Sequence, residues 1–171
     1  MNQKNQKNKK IKNKIFAVII VIIVLLVSNL FTNCAKNELK LLNLSDSDSD
    51  SEVPEGYICL SVYGKDGEPI IVQTCANSDY KKNITVADLS KDVCRELKIP
   101  FVFSGMGTMT YVQGIDGLFE YDYGAESGWL YSVNGEFQGV GCDSYILQDR
   151  DYVEWRYTLD LGRDLGLDFD Y

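Results

Sequence analysis

The sequence predicts an α+β fold, a β-grasp-like sheet wrapped on a single helix, and three features predict it. Two β-rich runs separated by turn residues come first, at 57–63 (YICLSVY) and 70–75 (IIVQTC). One amphipathic helix follows from Thr85, and several strand segments with period-two alternation fill the rest up to Thr158. A hairpin, then a helix, then more strands arranges naturally as a sheet around one helix with its first and last strands parallel at the centre. A small β-barrel capped by a helix fits the same order.

The chain divides before the first strand. Six lysines between Lys4 and Lys14 precede an uninterrupted apolar run at 15–27. That run is shorter than the roughly 20 residues a membrane-spanning helix needs, so it reads as an export signal. Cys34 stands where a bacterial lipoprotein signal places its acylated cysteine, although Phe31 and Asn33 depart from the residues usual at those positions. Residues 1–34 are therefore a lipoprotein signal peptide or an amino-terminal membrane anchor, with a soluble secreted product as a third reading. Either of the first two tethers the domain to the outer face of a bacterial cell membrane.

Residues 35–54 have the composition of an acidic, disordered linker. The run SDSDSDSE at 45–52 has nothing to bury. Asp46, Asp48 and Asp50 have the alternation of calcium-loop ligands, but Ser51 stands where that loop needs its glycine and Tyr57 where it needs a bidentate glutamate, so no metal site is expected. Residues 35–171 hold 25 acidic against 11 basic side chains, which disfavours nucleic acid as a partner.

The folded domain is expected over 55–166, with 167–171 as a tail. The first two strands flank Asp66-Gly67 and should pair antiparallel, which brings Cys59 opposite Thr74 or Cys75. The helix opens at Thr85, whose hydroxyl can cap it, with Asp88 three residues on; Val86, Leu89, Val93 and Leu97 make one apolar stripe, and Pro100 stops it. A short strand at 101–103 follows, then segments at 109–115 and 118–122 around the hairpin turn Asp116-Gly117. A second tight hairpin turns at Asn134-Gly135, and Val153, Trp155 and Tyr157 alternate with polar residues in the last strand.

Absences limit the chemistry. The chain has no histidine, which removes Ser-His-Asp and Cys-His catalysis and the usual zinc ligand sets. Paired carboxylates such as Glu120/Asp122 and Asp149/Asp151 fall at turns and alternating strand positions, as solvated faces do, and no enzyme activity or cofactor is expected. With Cys34 assigned to the signal, four cysteines remain in an exported domain, and three disulfide connectivities exist. The favoured one pairs Cys59 with Cys75 and Cys94 with Cys142, the latter tying the helix to the loop after the aromatic hairpin; reduced buried thiols are the alternative.

The run GIDGLFEYDYGAESGWLYSVNGEFQGVGCDSYILQDRDYVEWRYTLDLGRD resembles the transcobalamin-like C-terminal domain family, a bacterial domain of unknown function found on secreted and surface proteins. The resemblance covers about 55–166 and rests most on SGWLYSVNG and on VEWRYT after an acidic turn. It implies a β-grasp fold related to soluble-ligand-binding modules, with cobalamin or another soluble ligand as the bound molecule. It also implies that the segment 128–133, and Trp129 in it, approaches that ligand.

Aromatic residues carry the site expectation. Trp155, Tyr131 and Val133 are assigned to the core, and Tyr123, Trp129, Phe137 and Tyr145 to an exposed binding edge. Trp129 and Tyr131 share strand parity, so an outward Trp129 requires a bulge or a strand end near Gly128. Two functions from different classes follow. One is a cell-surface module capturing a soluble ligand for an uptake transporter; the other is a surface module binding protein or glycan with no small-molecule ligand.

Overall fold

The computed structural model describes residues 38–44, 52–105 and 109–167. The signal or anchor segment with Cys34, positions 45–51 of the acidic run and tail positions 168–171 lie outside the described residues. Among those described, no helix is long and apolar enough to cross a membrane.

Nine strands and one α-helix are present among the described residues: β1 (Leu41–Asn43), β2 (Tyr57–Tyr63), β3 (Pro69–Asn77), α1 (Val86–Leu97), β4 (Phe101–Ser104), β5 (Tyr111–Ile115), β6 (Leu118–Phe119), β7 (Gly128–Val133), β8 (Glu136–Phe137) and β9 (Tyr152–Thr158). Six strands form a mixed sheet in the order β1-β3-β2-β9-β7-β8, and three form a separate antiparallel sheet, β4-β5-β6. The expected parallel pair is present at the centre, with Leu60 beside Val153 and Val62 beside Trp155.

The expected fold class is corrected by this arrangement. A single sheet wrapped on one helix would place every strand after the helix in the main sheet, whereas the molecule is mostly β and β4, β5 and β6 pair only with one another. Local pairing explains why. Asp116 and Gly117 both adopt positive φ (52° and 79°), closing the two-residue turn that sets Ile115 opposite Leu118. Gly114 lets the Phe119 ring lie over the backbone, since a Cβ there would meet the ring at 2.6 Å. The hairpin is thus complete within itself, and β4 adds to its other side. Consecutive strands joined by short connections find each other before a distant edge does.

The helix forms as its caps dictate. Thr85 Oγ1 accepts from the Asp88 N–H at 3.1 Å and Asp88 accepts from the Thr85 N–H at 3.2 Å, a reciprocal capping box. Two further amides of the first turn are taken up by the loop before β9: Val86 donates to the Tyr145 carbonyl and Ala87 to the Cys142 carbonyl. Val86, Leu89 and Val93 are fully buried against the main sheet and Leu97 partly so. Ser90 sits among them because its hydroxyl accepts from Trp155 Nε1 at 2.8 Å and donates to the Val86 carbonyl, which satisfies both polar groups in the core. Lys98 ends the helix in the left-handed region (φ 59°).

Part of the segment expected to be a linker belongs to the sheet. Leu41–Asn43 adds an edge strand to β3, with Leu41 opposite Ala76, and Leu39 and Leu41 pack against the core. Asn43 accepts from the Thr74 hydroxyl at 3.1 Å and Asn77 accepts from the Lys40 amide at 2.7 Å. The leucines alternate with period two, which suits a half-buried edge.

Of the two expected disulfides, one is present. Cys59 and Cys75 are register partners in β2 and β3 and are bonded. Cys94 and Cys142 are free and buried, which corrects the second pairing. Cys142 docks at Ala87 in the first helical turn, and Cys94 lies seven residues further along the axis, about 10 Å at 1.5 Å per residue. A disulfide needs Cα atoms within about 7 Å. Burial instead holds both as thiols, pushing Cys94 up to about 12 and Cys142 up to about 11.

Candidate functional site

Asn134 and Gly135 (φ 52° and 81°) turn β7 into β8, but β8 covers only Ser132 and Val133. The chain then leaves at Gln138, whose amide reaches the Tyr131 carbonyl at 3.4 Å. Gly128 to Leu130 therefore form an edge with no strand partner on that side among the described residues. In an antiparallel ladder the residues that bond to one neighbour alternate with those that face the other. Asn134 donates to the Tyr152 carbonyl and Leu130 stands opposite Arg156, so the even-numbered residues of β7 bond to β9. The N–H and C=O of Trp129 consequently face the open edge.

A groove follows this edge. Its larger lobe, about 350 Å³, is lined by Tyr111, Glu120, Tyr121, Trp129, Leu130 and Leu161 among others. A smaller lobe of about 150 Å³ continues past Trp129 and Leu130 to Tyr131, Gln138 and Cys142. Tyr111 and Val112 of β5 line both lobes, so the small sheet forms one wall and β7 the other. On that wall the Tyr111 hydroxyl donates to Glu120 Oε1 at 2.7 Å, which raises the Tyr111 pKa above the ordinary phenol value. Gln113 Nε2 also donates to Glu120 Oε1 at 3.3 Å.

The two walls are stitched by aromatic donors. Trp129 Nε1 donates to the Leu118 carbonyl at 2.9 Å, and the Tyr157 hydroxyl donates to the next carbonyl, Phe119, at 2.6 Å. The two rings meet edge-on with centroids 5.2 Å apart. Trp129 is 8% exposed and belongs to the core, so the outward orientation expected for its ring is not found. Strand parity holds to the end of β7 with no bulge in its pairing with β9. With the ring in the core, the N–H and C=O of Trp129 are what it turns toward the open edge.

The other expected edge residues are scattered. Tyr123 is 54% exposed, with its ring edge-on to Tyr157 and Lys65 Nζ 5.0 Å from its centroid. Phe137 is half-buried in β8, and Tyr145 packs against the core beside the first turn of α1. Neither lines either lobe of the groove. Residues that sequence reasoning did not single out for the site, Tyr111 and Glu120, join Trp129 there, with Tyr121 at the lip, 63% exposed and at φ 66°. The signal for them was available in the Asp116-Gly117 turn: a tight hairpin brings the flanking strands together, and Tyr111 and Glu120 project side by side from it. Among the described residues no group of histidine, cysteine or carboxylate side chains is placed to hold a metal ion.

No curated protein matches this chain. Among solved structures it is similar to a supposed metal-binding protein from Ruminococcus gnavus ATCC 29149, at 13% identity and a TM-score of 0.44, over 61% of this chain and 97% of that one. It is also similar to haptocorrin, solved in complex with Cbi, at 18% identity and a TM-score of 0.44, over 63% of this chain and 26% of that one. The chain thus spans about a quarter of haptocorrin's length. Residues 85–158, from the cap of α1 to the end of β9, match the family model described as Domain of unknown function (DUF4430).

Proposed function

We propose that this is a non-catalytic binding module of the extracytoplasmic space, tethered to the cell surface through its amino-terminal segment, that holds a soluble ligand in the groove along β7 and presents it for uptake. The observation that carries the reading is the groove itself: aromatic walls from two sheets converge on a strand edge that, between the bonded carbonyls of Ser127 and Tyr131, leaves Trp129 with no backbone partner on that side among the described residues. Sites of this kind combine apolar surface with a few placed polar groups. The Cys59–Cys75 disulfide supports an oxidising compartment. Corrinoids are the first ligands to test, because the resemblance of the segment around 128–133 raises them; recognition of protein or glycan through the exposed Tyr121 and Tyr123 is the second reading.

Titration of the isotope-labelled protein with hydroxocobalamin, cobinamide, short peptides and oligosaccharides tests it. A binder should shift the amides of Tyr111, Glu120, Trp129 and Leu130, and Tyr111→Ala should weaken it at least tenfold without changing the fold. A panel with no binder in the groove, or one whose shifts lie elsewhere, overturns the reading.

A further inference from the structure

Resting on the groove reading above, we infer that the larger lobe takes an organic cation, a protonated amine on an apolar body, with Glu120 as its counter-ion and the rings of Tyr111 and Tyr121 as its walls. Charge makes the first argument. Glu120 lines the lobe partly buried, and its Oε1 accepts from the Tyr111 hydroxyl at 2.7 Å and from Gln113 Nε2 at 3.3 Å. Both donors are neutral. Its Oε2 has no hydrogen-bond partner among the described residues, and no lysine or arginine lines the lobe. Glu126, on the same lobe, is instead matched by Arg163 at 3.1 Å. A carboxylate drawn away from water is ordinarily paired with a cation. One of the two charges in the lobe is thus met from within the fold, and the other is open to a ligand.

The rings make the second argument. Tyr111 and Tyr121 are both exposed and face one lobe, the first from β5 and the second from the loop after β6. That loop sets Tyr121 in place: its amide donates to the Ser127 carbonyl at 3.0 Å, and its carbonyl accepts from Gly124 at 3.2 Å. Aromatic faces attract cations. Elsewhere the protein supplies its own, with Lys91 Nζ 3.8 Å from the Phe103 centroid and Lys65 Nζ 5.0 Å from that of Tyr123. Among the described residues no lysine or arginine lies over Tyr111 or Tyr121.

Space and ligand number favour an organic cation over a metal ion. A calcium ion takes about six to eight oxygens. The lobe offers two carboxylates, one of them held by Arg163, and aromatic walls that suit an apolar body. Gly128 keeps the floor open beside Glu120, since a Cβ there would stand 3.9 Å from the Glu120 Cβ. With 25 acidic against 11 basic residues after position 34, the domain also draws cations from a distance.

The test adds to the panel above benzylamine and hexylamine, their neutral counterparts benzyl alcohol and hexanol, and calcium chloride. Titrated into the isotope-labelled full chain, the amines should shift the amides of Tyr111, Glu120 and Tyr121 and bind at least tenfold more tightly than the alcohols. Glu120→Gln keeps an acceptor for the Tyr111 hydroxyl and removes the charge, so it should erase that preference. The comparison of amine with alcohol is made on the parent chain and stands whatever the variant does to folding. Equal binding of amine and alcohol, a preference that survives Glu120→Gln, a lobe that takes only calcium, or a groove filled only by a corrinoid or a neutral glycan overturns the cation inference and leaves the groove reading standing. No ligand of any class in the groove overturns both.

Discussion

Replacing Trp129 by alanine and by phenylalanine separates its two contributions. Trp129 is in the core at 8% exposure, and its indole makes an edge contact with Tyr157 and donates to the Leu118 carbonyl. Removing a core tryptophan costs about 3–5 kcal/mol. Phenylalanine keeps most of the apolar volume and loses the hydrogen bond, for about 1–1.5 kcal/mol. For a domain of this size about 4 °C in Tm corresponds to 1 kcal/mol, so Trp129→Ala should lower Tm by about 12–20 °C and Trp129→Phe by about 4–6 °C. Calorimetry or urea unfolding read by circular dichroism gives both numbers. Tyr157→Phe removes the neighbouring donor to Phe119, and the double variant should cost more than the sum of the singles, because either bond alone holds β6 against the main sheet. A Trp129→Ala domain within about 1 kcal/mol of the parent would refute the reasoning, since the ring would then not be holding the sheets together.

The remaining expectations concern cysteines, pH and the helix cap. Replacing Cys59 and Cys75 by alanine opens a cross-link of sequence separation 16 and should cost about 3 kcal/mol, seen as a lower urea midpoint; an unchanged midpoint counts against the bond. Cys94 and Cys142 should resist iodoacetamide at pH 8 in the folded protein and react fully in urea, as mass spectrometry would show; rapid native labelling would mean the thiols are not buried. Both have folded pKa values above the ordinary 9.0, so their contribution is complete below about pH 9. As pH rises from there through the folded values of about 11 and about 12, only the unfolded chain at first ionises and stability falls. Urea midpoints at pH 8, 9 and 10 check the sign, and a midpoint that rises with pH contradicts it. Thr85→Ala should cost about 1 kcal/mol through the lost cap, with Thr85→Ser close to the parent; equal losses in both would mean the methyl group matters and the hydroxyl does not.

What could be read from the sequence was local. Thr85 and Asp88 are adjacent in chain and space, so their capping box was legible, and so were the tight turns at Asp116-Gly117 and Asn134-Gly135, which depend on two residues each. The centre of one hairpin placed Cys59 opposite Thr74 or Cys75, and the register settles on Cys75. Long-range choices were not legible. Nothing in β4 to β6 states whether they join the main sheet, because a self-contained hairpin looks the same in either place. Leu41 sits beside acidic, low-complexity sequence that masks its edge-strand alternation. Cys94 and Cys142 looked like partners only while the docking point of the loop on α1 was unknown. For Trp129, parity with Tyr131 held, and it was the expectation of an outward ring that failed.

The position of β9 has a consequence for how the molecule comes into being. It lies between β2 and β7, parallel to one and antiparallel to the other, and its bonds to β2 join positions about 90 residues apart. Until Thr158 has left the ribosome, the main sheet is two fragments with raw edges, and the apolar faces of Leu60, Val62 and Tyr131 have no central neighbour. Contacts of such high order form slowly, so the main sheet closes only once β9 is available. A growing chain therefore stays pliable until β9 joins, and a premature stop ahead of Tyr152 would leave no stable remnant.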